Sequence, residues 1–346
     1  MSRDRSLDIA KGIAIIAIVA GHVWRGLNAA GVVNSKALFE AVDASLYMWH
    51  LTVFAFVAGL FVRQGLDREG RWAYAVRRDV TFLWLYMVWS IVQGAAKILG
   101  DTATNGEASP TTLLQLWNPD GQLWFLGWIA IVTLVAAALN PWLNRSGGWV
   151  VLAVAAAVSV ATWGLNGPYL GTQGAALTGY YMVGVVWRGE RFVRFQARFS
   201  TAMLSATAVA SFTAMAAIAV LQPATPPTTG GATRDVESIV LGVLASTLGL
   251  VAVLAAARLL ASGRRGVALA YIGARSMAVF LGHIVFAVGA RAALLALEVH
   301  SLPVLVVVSV SVGVVGPLLL YSIADRLRVA WLFRAPEALT SRVVAR

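Results

Sequence analysis

Long stretches of apolar residues, separated by short polar segments, recur from one end of the chain to the other. A helix that crosses a bilayer needs about 20 predominantly apolar residues. Ten stretches meet or approach that length, over roughly 7–27, 45–64, 75–98, 122–141, 148–166, 171–189, 200–221, 237–260, 268–296 and 302–323. The ninth exceeds what a bilayer requires, which predicts a span joined to a short extension. The pattern predicts an all-α, polytopic transmembrane helix bundle of about ten spans, forming one membrane-embedded domain over residues 1–346.

Composition sharpens this reading. The chain is 59% hydrophobic and 12% charged, with a mean hydropathy of +0.76. A soluble domain carries about 25% charged residues, so little length remains for one here. A net charge of +11 would suggest nucleic acid in a soluble protein. Here the cations gather in short segments between apolar runs: Arg3 and Arg5; Arg63, Arg68, Arg71, Arg77 and Arg78; Arg188, Arg191, Arg194 and Arg198; Arg258, Arg264 and Arg265; and Arg326, Arg328, Arg334, Arg342 and Arg346. With ten spans all of these fall on one side, while Glu40, Asp43, Asp101, Glu107, Asp120, Asp235 and Glu237 fall on the other. The positive-inside rule then places both termini in the cytoplasm of a multi-pass cell-membrane protein and leaves no role for nucleic acid. Cysteine is absent, which excludes disulfides, thiolate metal sites and an acyl-cysteine intermediate. The first run lacks a small-residue cleavage site, so it is expected to stay as the first span rather than act as a signal peptide. Two outer loops, 99–121 and 222–236, are rich in Gly, Pro and Thr; they are linkers or a lid over an acceptor.

Polar residues inside the spans carry the chemistry, because lipid makes each of them costly. Lys11 and His22 differ by only about 20° in helical azimuth and stand about 16 Å apart in height. Asp8 and Arg25 share that broad face. A stripe of this kind belongs toward the bundle interior, although Lys11 alone would also fit a snorkelling interface residue. His50 opens the second span, His283 lies within the ninth, Ser276 precedes it by seven residues, and Arg291 sits deeper than a loop arginine should. Three of the four histidines thus lie in or at the edge of spans. A buried neutral imidazole accepts a proton from a hydroxyl; one that is only hydrogen-bonded within a bundle would look the same in sequence. The histidines lie on different helices without thiolates nearby, so no metal is expected. Arg71, Arg77 and Arg78 lead into the third span, as topology signals or as an anion site. Trp124 and Trp128 open the fourth, as interface residues or as a stacking wall.

Several of these landmarks occur together in "RSLDIAKGIAIIAIVAGH" (Arg5, Asp8, Lys11, Gly12, His22), "VFAFVAGLF" (Gly59), the arginines before span three, "WFL" (Trp124, Phe125, Leu126) and "YIGARSMAVFLGH" (Gly273, Ser276, His283). In order and spacing they resemble the acyltransferase-3 family of integral membrane acyltransferases, most closely its smaller bacterial, fucose 4-O-acetylase-like members. Ala58 stands where serine is usual, and the proline that often follows the arginines is missing. The resemblance implies an O-acetyltransferase that takes an acyl group from cytoplasmic acyl-CoA, commonly acetyl-CoA, and places it on a hydroxyl of a carbohydrate or related envelope molecule. On that reading His22, Asp8 and Lys11 are catalytic, with His22 the general base. Lys11, Arg71, Arg77 and Arg78 hold the donor, and His50, Trp124, Phe125, Ser276 and His283 face substrate. No cofactor is permanently bound. The competing readings are a transporter or flippase for a lipid-linked sugar, which often carries inverted repeats not found here, and a non-catalytic sensor or scaffold.

Overall fold

A computed structural model describes residues 4–99, 121–167, 169–228 and 234–344. Most of the first predicted outer loop and residues 229–233 of the second lie outside the described residues, as do Arg3, Asp101, Glu107, Asp120 and Arg346. Among the described residues the regular structure is helical: α1 (Arg5–Ala29), α2 (Lys36–Tyr47), α3 (His50–Glu69), α4 (Arg71–Leu99), α5 (Trp124–Leu139), α6 (Arg145–Ala161), α7 (Thr178–Trp187), α8 (Gly189–Gln196), α9 (Thr201–Leu221), α10 (Val236–Leu260), α11 (Arg265–Ala274), α12 (Ser276–Ala296), α13 (Leu302–Arg326) and α14 (Glu337–Val344). Short 3₁₀ turns precede α5 and α7, and another follows α13.

Seven of the segments are long and apolar enough to cross a membrane: α1, the α2–α3 pair, α5 with its leading turn, α9, α10, α12 and α13. The other three expected spans coincide with α4, which has 29 residues, and with the shorter apolar helices α6 and α7, of 17 and 10 residues. The outward faces are apolar: Val209 and Phe212 on α9, Val307 and Leu319 on α13, and Val150 and Val154 on α6 are all exposed. A soluble monomer rarely leaves contiguous apolar surface of that extent uncovered, whereas a bilayer covers it.

Three expected spans change shape. The second begins earlier, at Lys36, and bends at Met48–Trp49. There the Ser246 hydroxyl on α10 donates to the Met48 carbonyl, an oxygen that the end of α2 leaves open, while the Trp49 carbonyl accepts from both the Val53 amide and the Thr52 hydroxyl. The sixth shortens to α7 because Gly171 takes φ +88° and the chain turns until Ala175. The ninth divides at Arg275 into α11 and α12, as its length suggested.

Local signals explain the ends. The Asp4 side chain accepts from the Ser6 amide to start α1, and Asp235 forms a reciprocal capping box with Ser238 at α10. Those hydrogen bonds from Ser238 hold the Asp235 carboxyl below the usual carboxylate range. Gly70, at φ +87°, lets α3 reverse directly into α4.

Helix α1 is the hub, packed against α2, α3, α10, α11, α12 and α13. Its Ile15, Val19 and Leu27 are fully buried. Two pairs of glycines set the tightest contacts. On α1 and α11, a Cβ at Gly12 would overlap the Leu269 carbonyl, and one at Gly273 would overlap the Asp8 carbonyl. On α3 and α7, a Cβ at Gly59 would overlap the Tyr181 carbonyl, and one at Gly184 the Phe56 carbonyl. Because lipid supplies no hydrophobic drive between helices, such backbone approach carries much of the association. Replacing Gly273 with alanine is therefore expected to lower the unfolding midpoint and the monodisperse yield, since overpacking costs about 1–3 kcal/mol. Gly289→Ala, at a position with nothing within 4 Å of the new Cβ, should leave both unchanged; thermal unfolding in detergent compares the two.

Candidate active site

A cavity of about 840 Å³ runs inward from the arginine-rich end of the bundle. Its mouth is lined by Lys11, Arg68, Arg78, Arg188 and Arg194, with Asp4 and Glu190 also present. Deeper, the walls are apolar: Leu51, Phe54, Val57, Phe82, Phe125, Ile129 and Phe280. Ile18 marks the deep end on α1. His22 follows Ile18 by one helical turn, and the Phe280 ring lies 6.4 Å from that of His283. Cation-rich rim, apolar shaft and imidazole cluster thus follow one another along the bundle.

The three span histidines come together from three helices. The His22 and His283 rings are 5.2 Å apart, and Tyr47 bridges His22, at 6.2 Å, to His50, at 4.9 Å. His283 and His50 are buried, whereas His22 keeps part of its surface accessible. The Nδ1 of His50 lies 2.7 Å from the Leu46 carbonyl, and that of His283 lies 3.0 and 2.9 Å from the carbonyls of Val279 and Phe280. A carbonyl only accepts, so both rings carry their proton on Nδ1 and keep a lone pair on Nε2. The Nε2 of His283 is buried with no partner among the described residues.

Arg25 closes this cluster from the side. Its Nε and Nη2 donate to Asp43 at 2.6 and 2.7 Å, and its guanidinium carbon lies 3.4 Å from the centre of the Tyr47 ring. Gly21 leaves room for the edge of that ring.

The sequence-derived residues separate into two groups. Lys11, Arg78, Phe125 and Ser276 line the cavity, and Asp8 holds Lys11 with a 2.8 Å ion pair. His22, His50 and His283 form the cluster beyond it. Arg71 is exposed over Trp72, at 5.2 Å, and Arg77 makes two 2.7 Å bonds to Glu69; neither lines the cavity. Trp124 packs on Phe125, with ring centres 5.8 Å apart, and does not line it either. Arg78 and Arg77 are sequence neighbours, so a helix aims them about 100° apart. Arg78 donates to the Tyr74 hydroxyl at 2.6 Å, while its Nε has no partner among the described residues. In sequence Arg68, Arg188 and Arg194 read as topology charges only, and nothing singles out Tyr47 or Asp43. Asp43 falls in a stretch that reads as loop, and no local motif links it to Arg25. Among the described residues no group of His, Asp and Glu could hold a metal ion.

The sequence model of the acyltransferase-3 family, described as an acyltransferase domain, matches residues 4–322. The chain belongs to that family. It is also 25% identical over 177 residues to nodulation protein NolL of Mesorhizobium japonicum, a match that covers 46% of this chain and 42% of that protein. The chain thus spans less than half the length of that relative. No solved structure matches. In this acyltransferase the landmark glycines Gly12, Gly59 and Gly273 are the ones that admit a neighbouring backbone.

The Arg25–Asp43 pair is partly buried, with side-chain exposures of 37% and 17%. Asp43→Ala would leave a cation beside Tyr47 and is expected to destabilise the acyltransferase by about 1–3 kcal/mol, less than a fully buried pair would lose. Adding Arg25→Leu should recover part of that loss, as read from unfolding midpoints of the single and double variants.

Proposed function

We propose that this acyltransferase moves an acyl group, most simply acetyl, from acyl-CoA in the cytoplasm to a hydroxyl of a carbohydrate or related envelope or secreted molecule. Its site would be a bacterial cell membrane, with both termini on the cytoplasmic side. The observation that carries the reading is the cavity, whose cationic mouth and apolar lining reach to within one helical turn of His22. The donor has the same sequence of chemistries: an anionic nucleotide end, a slim pantetheine arm and a thioester. The guanidinium groups of Arg68, Arg78, Arg188 and Arg194 suit phosphate oxygens. Lys11, oriented by Asp8, stands at the same mouth. The apolar shaft keeps water from the thioester.

His22 acts as general base. It takes the proton of the acceptor hydroxyl while that oxygen attacks the thioester carbon. The carbon–sulfur bond then breaks, and the CoA thiolate leaves and recovers a proton as the free thiol. His50 and His283 flank it as hydrogen-bond acceptors; Phe125 and Ser276 line the approach. Membership of an acyltransferase family leaves the transporter and scaffold readings without an observation in their favour.

The test is acetyl transfer from radiolabelled acetyl-CoA by purified protein in nanodiscs. His22→Ala should lower the rate about 10²–10⁴-fold, the usual worth of general-base catalysis; an unchanged rate removes His22 from the reaction. If the imidazole first carries the acyl group itself, ping-pong kinetics and a trappable acyl-enzyme replace direct transfer.

The donor mouth makes a separate prediction. Charge reversal of Arg78 together with Arg188 should raise the KM for acetyl-CoA at least tenfold, since charge-assisted hydrogen bonds are worth about 1.5–3 kcal/mol each. Reversal of Arg77, engaged with Glu69 away from the cavity, should change it little. Equal effects would assign all three arginines to topology alone.

A further inference from the structure

Around and beyond His22, toward the arginine-poor end of the bundle, the Tyr47 hydroxyl and the His283 Nε2 are buried without partners among the described residues. One turn further, Arg291 is buried and makes no ion pair among the described residues. Arg291 is 6% exposed on α12, and its Nη1 rests against α1 where a side chain at Gly26 would otherwise sit. Gly26 is four residues beyond His22, one turn further from the cavity. Arg25 in the same layer is a contrast, because Asp43 occupies its fork and Tyr47 its face. That carboxylate is therefore already committed. A guanidinium removed from water without a counter-charge carries a large desolvation penalty, so its retention calls for a ligand that offsets it.

We propose that Arg291 is an acceptor-anchoring residue. It binds a carboxylate or phosphate carried by the acceptor beside the hydroxyl to be acylated. The planar fork of Arg291 pairs with either oxyanion through two parallel hydrogen bonds. Seated one turn beyond His22, it would hold the neighbouring hydroxyl at the imidazole. The glycine at 26 is what admits the guanidinium to that position. This rests on the proposed function, and it names the acceptor class as an acidic or phosphorylated carbohydrate-like molecule.

The experiment uses the full chain in nanodiscs with acetyl-CoA and two pairs of acceptor probes: methyl β-D-glucuronide against methyl β-D-glucoside, and glucose 6-phosphate against glucose. The wild type should favour one or both charged probes about ten- to a hundred-fold in kcat/KM, the worth of a charge-assisted hydrogen bond. The stronger arm identifies carboxylate or phosphate. Arg291→Gln should bring that ratio close to one, and Arg291→Lys should restore part of it. Gly26→Ala keeps the cation but displaces it, and should also lower the ratio. A wild type that treats charged and neutral probes alike, or an Arg291→Gln variant that keeps the preference, overturns the inference. Thermal unfolding separates this result from the proposed function. If acetyl-CoA is never turned over, yet the charged probe still stabilises the wild type and not Arg291→Gln, the transfer reading fails and the anion seat stands. If acetyl transfer proceeds with no preference for charge, the transfer reading stands and the anion seat fails.

Discussion

The constraint on which the rest depends is the backbone contact between α1 and α11. Gly12 and Gly273 remove the side chains that would hold the two helices apart, and the Asp8 carbonyl occupies the space so freed. With α1 fixed there, and with α3, α10, α12 and α13 around it, its polar stripe has no route to lipid. Lys11 and His22 are thereby committed to the interior, where they face a cavity mouth and an imidazole cluster. Were α1 a peripheral helix, the same two residues would be a snorkelling lysine and a membrane-interface histidine. Burial of this one helix turns a costly stripe into a site.

The two ends of that site differ in kind. At the mouth the cations are numerous and in part solvated, so each contributes little alone and they act as a field for an anion. At the far end they are few, Arg25 partly buried and Arg291 buried. There the pairing of each one matters, since Arg25 is neutralised by Asp43 whereas Arg291 is seated by a glycine and left without a counter-charge among the described residues. The apolar shaft between them belongs to neither end. Phe54, Phe82, Phe125 and Phe280 stand between the charged mouth and the imidazoles; in the proposed reaction that apolar stretch would keep water from the thioester.

Periodicity makes the Lys11–His22 stripe legible, because helical azimuth needs only one helix. It also makes the long apolar segments legible, while the place where the ninth divides, at Arg275, is not marked in its pattern. What it misses depends on more than one helix. Arg77 and Arg78 look equivalent in sequence, and only the position of Glu69 and of the cavity divides them. Trp124 and Phe125 are likewise neighbours aimed in different directions. The bend at Met48–Trp49 rests on a serine almost two hundred residues away, which no window along the chain can include. The pairing of Asp43 with Arg25 is hidden along with that bend. With residues 28–44 read as loop, an acid there counts as an outer charge and not as a side chain facing α1.

The three clustered histidines also show why equal residues need not have equal roles. Those of α3 and α12 each give their Nδ1 proton to a carbonyl one turn back along the chain. That bond fixes the ring and its tautomer and presents Nε2 only as an acceptor. A ring fixed in this way can receive a proton or orient a donor, but its geometry is set by its helix. His22 is the member that is not fully buried, and it follows cavity-lining Ile18 by one helical turn. In the proposed reaction the base must meet a carbonyl carbon arriving from one end and a hydroxyl arriving from the other. His22 shares α1 with Ile18 at the cavity and with Gly26 one turn further on. The flanking pair then serve the reaction by accepting hydrogen bonds around it, and a third basic nitrogen at either of their positions would not replace it.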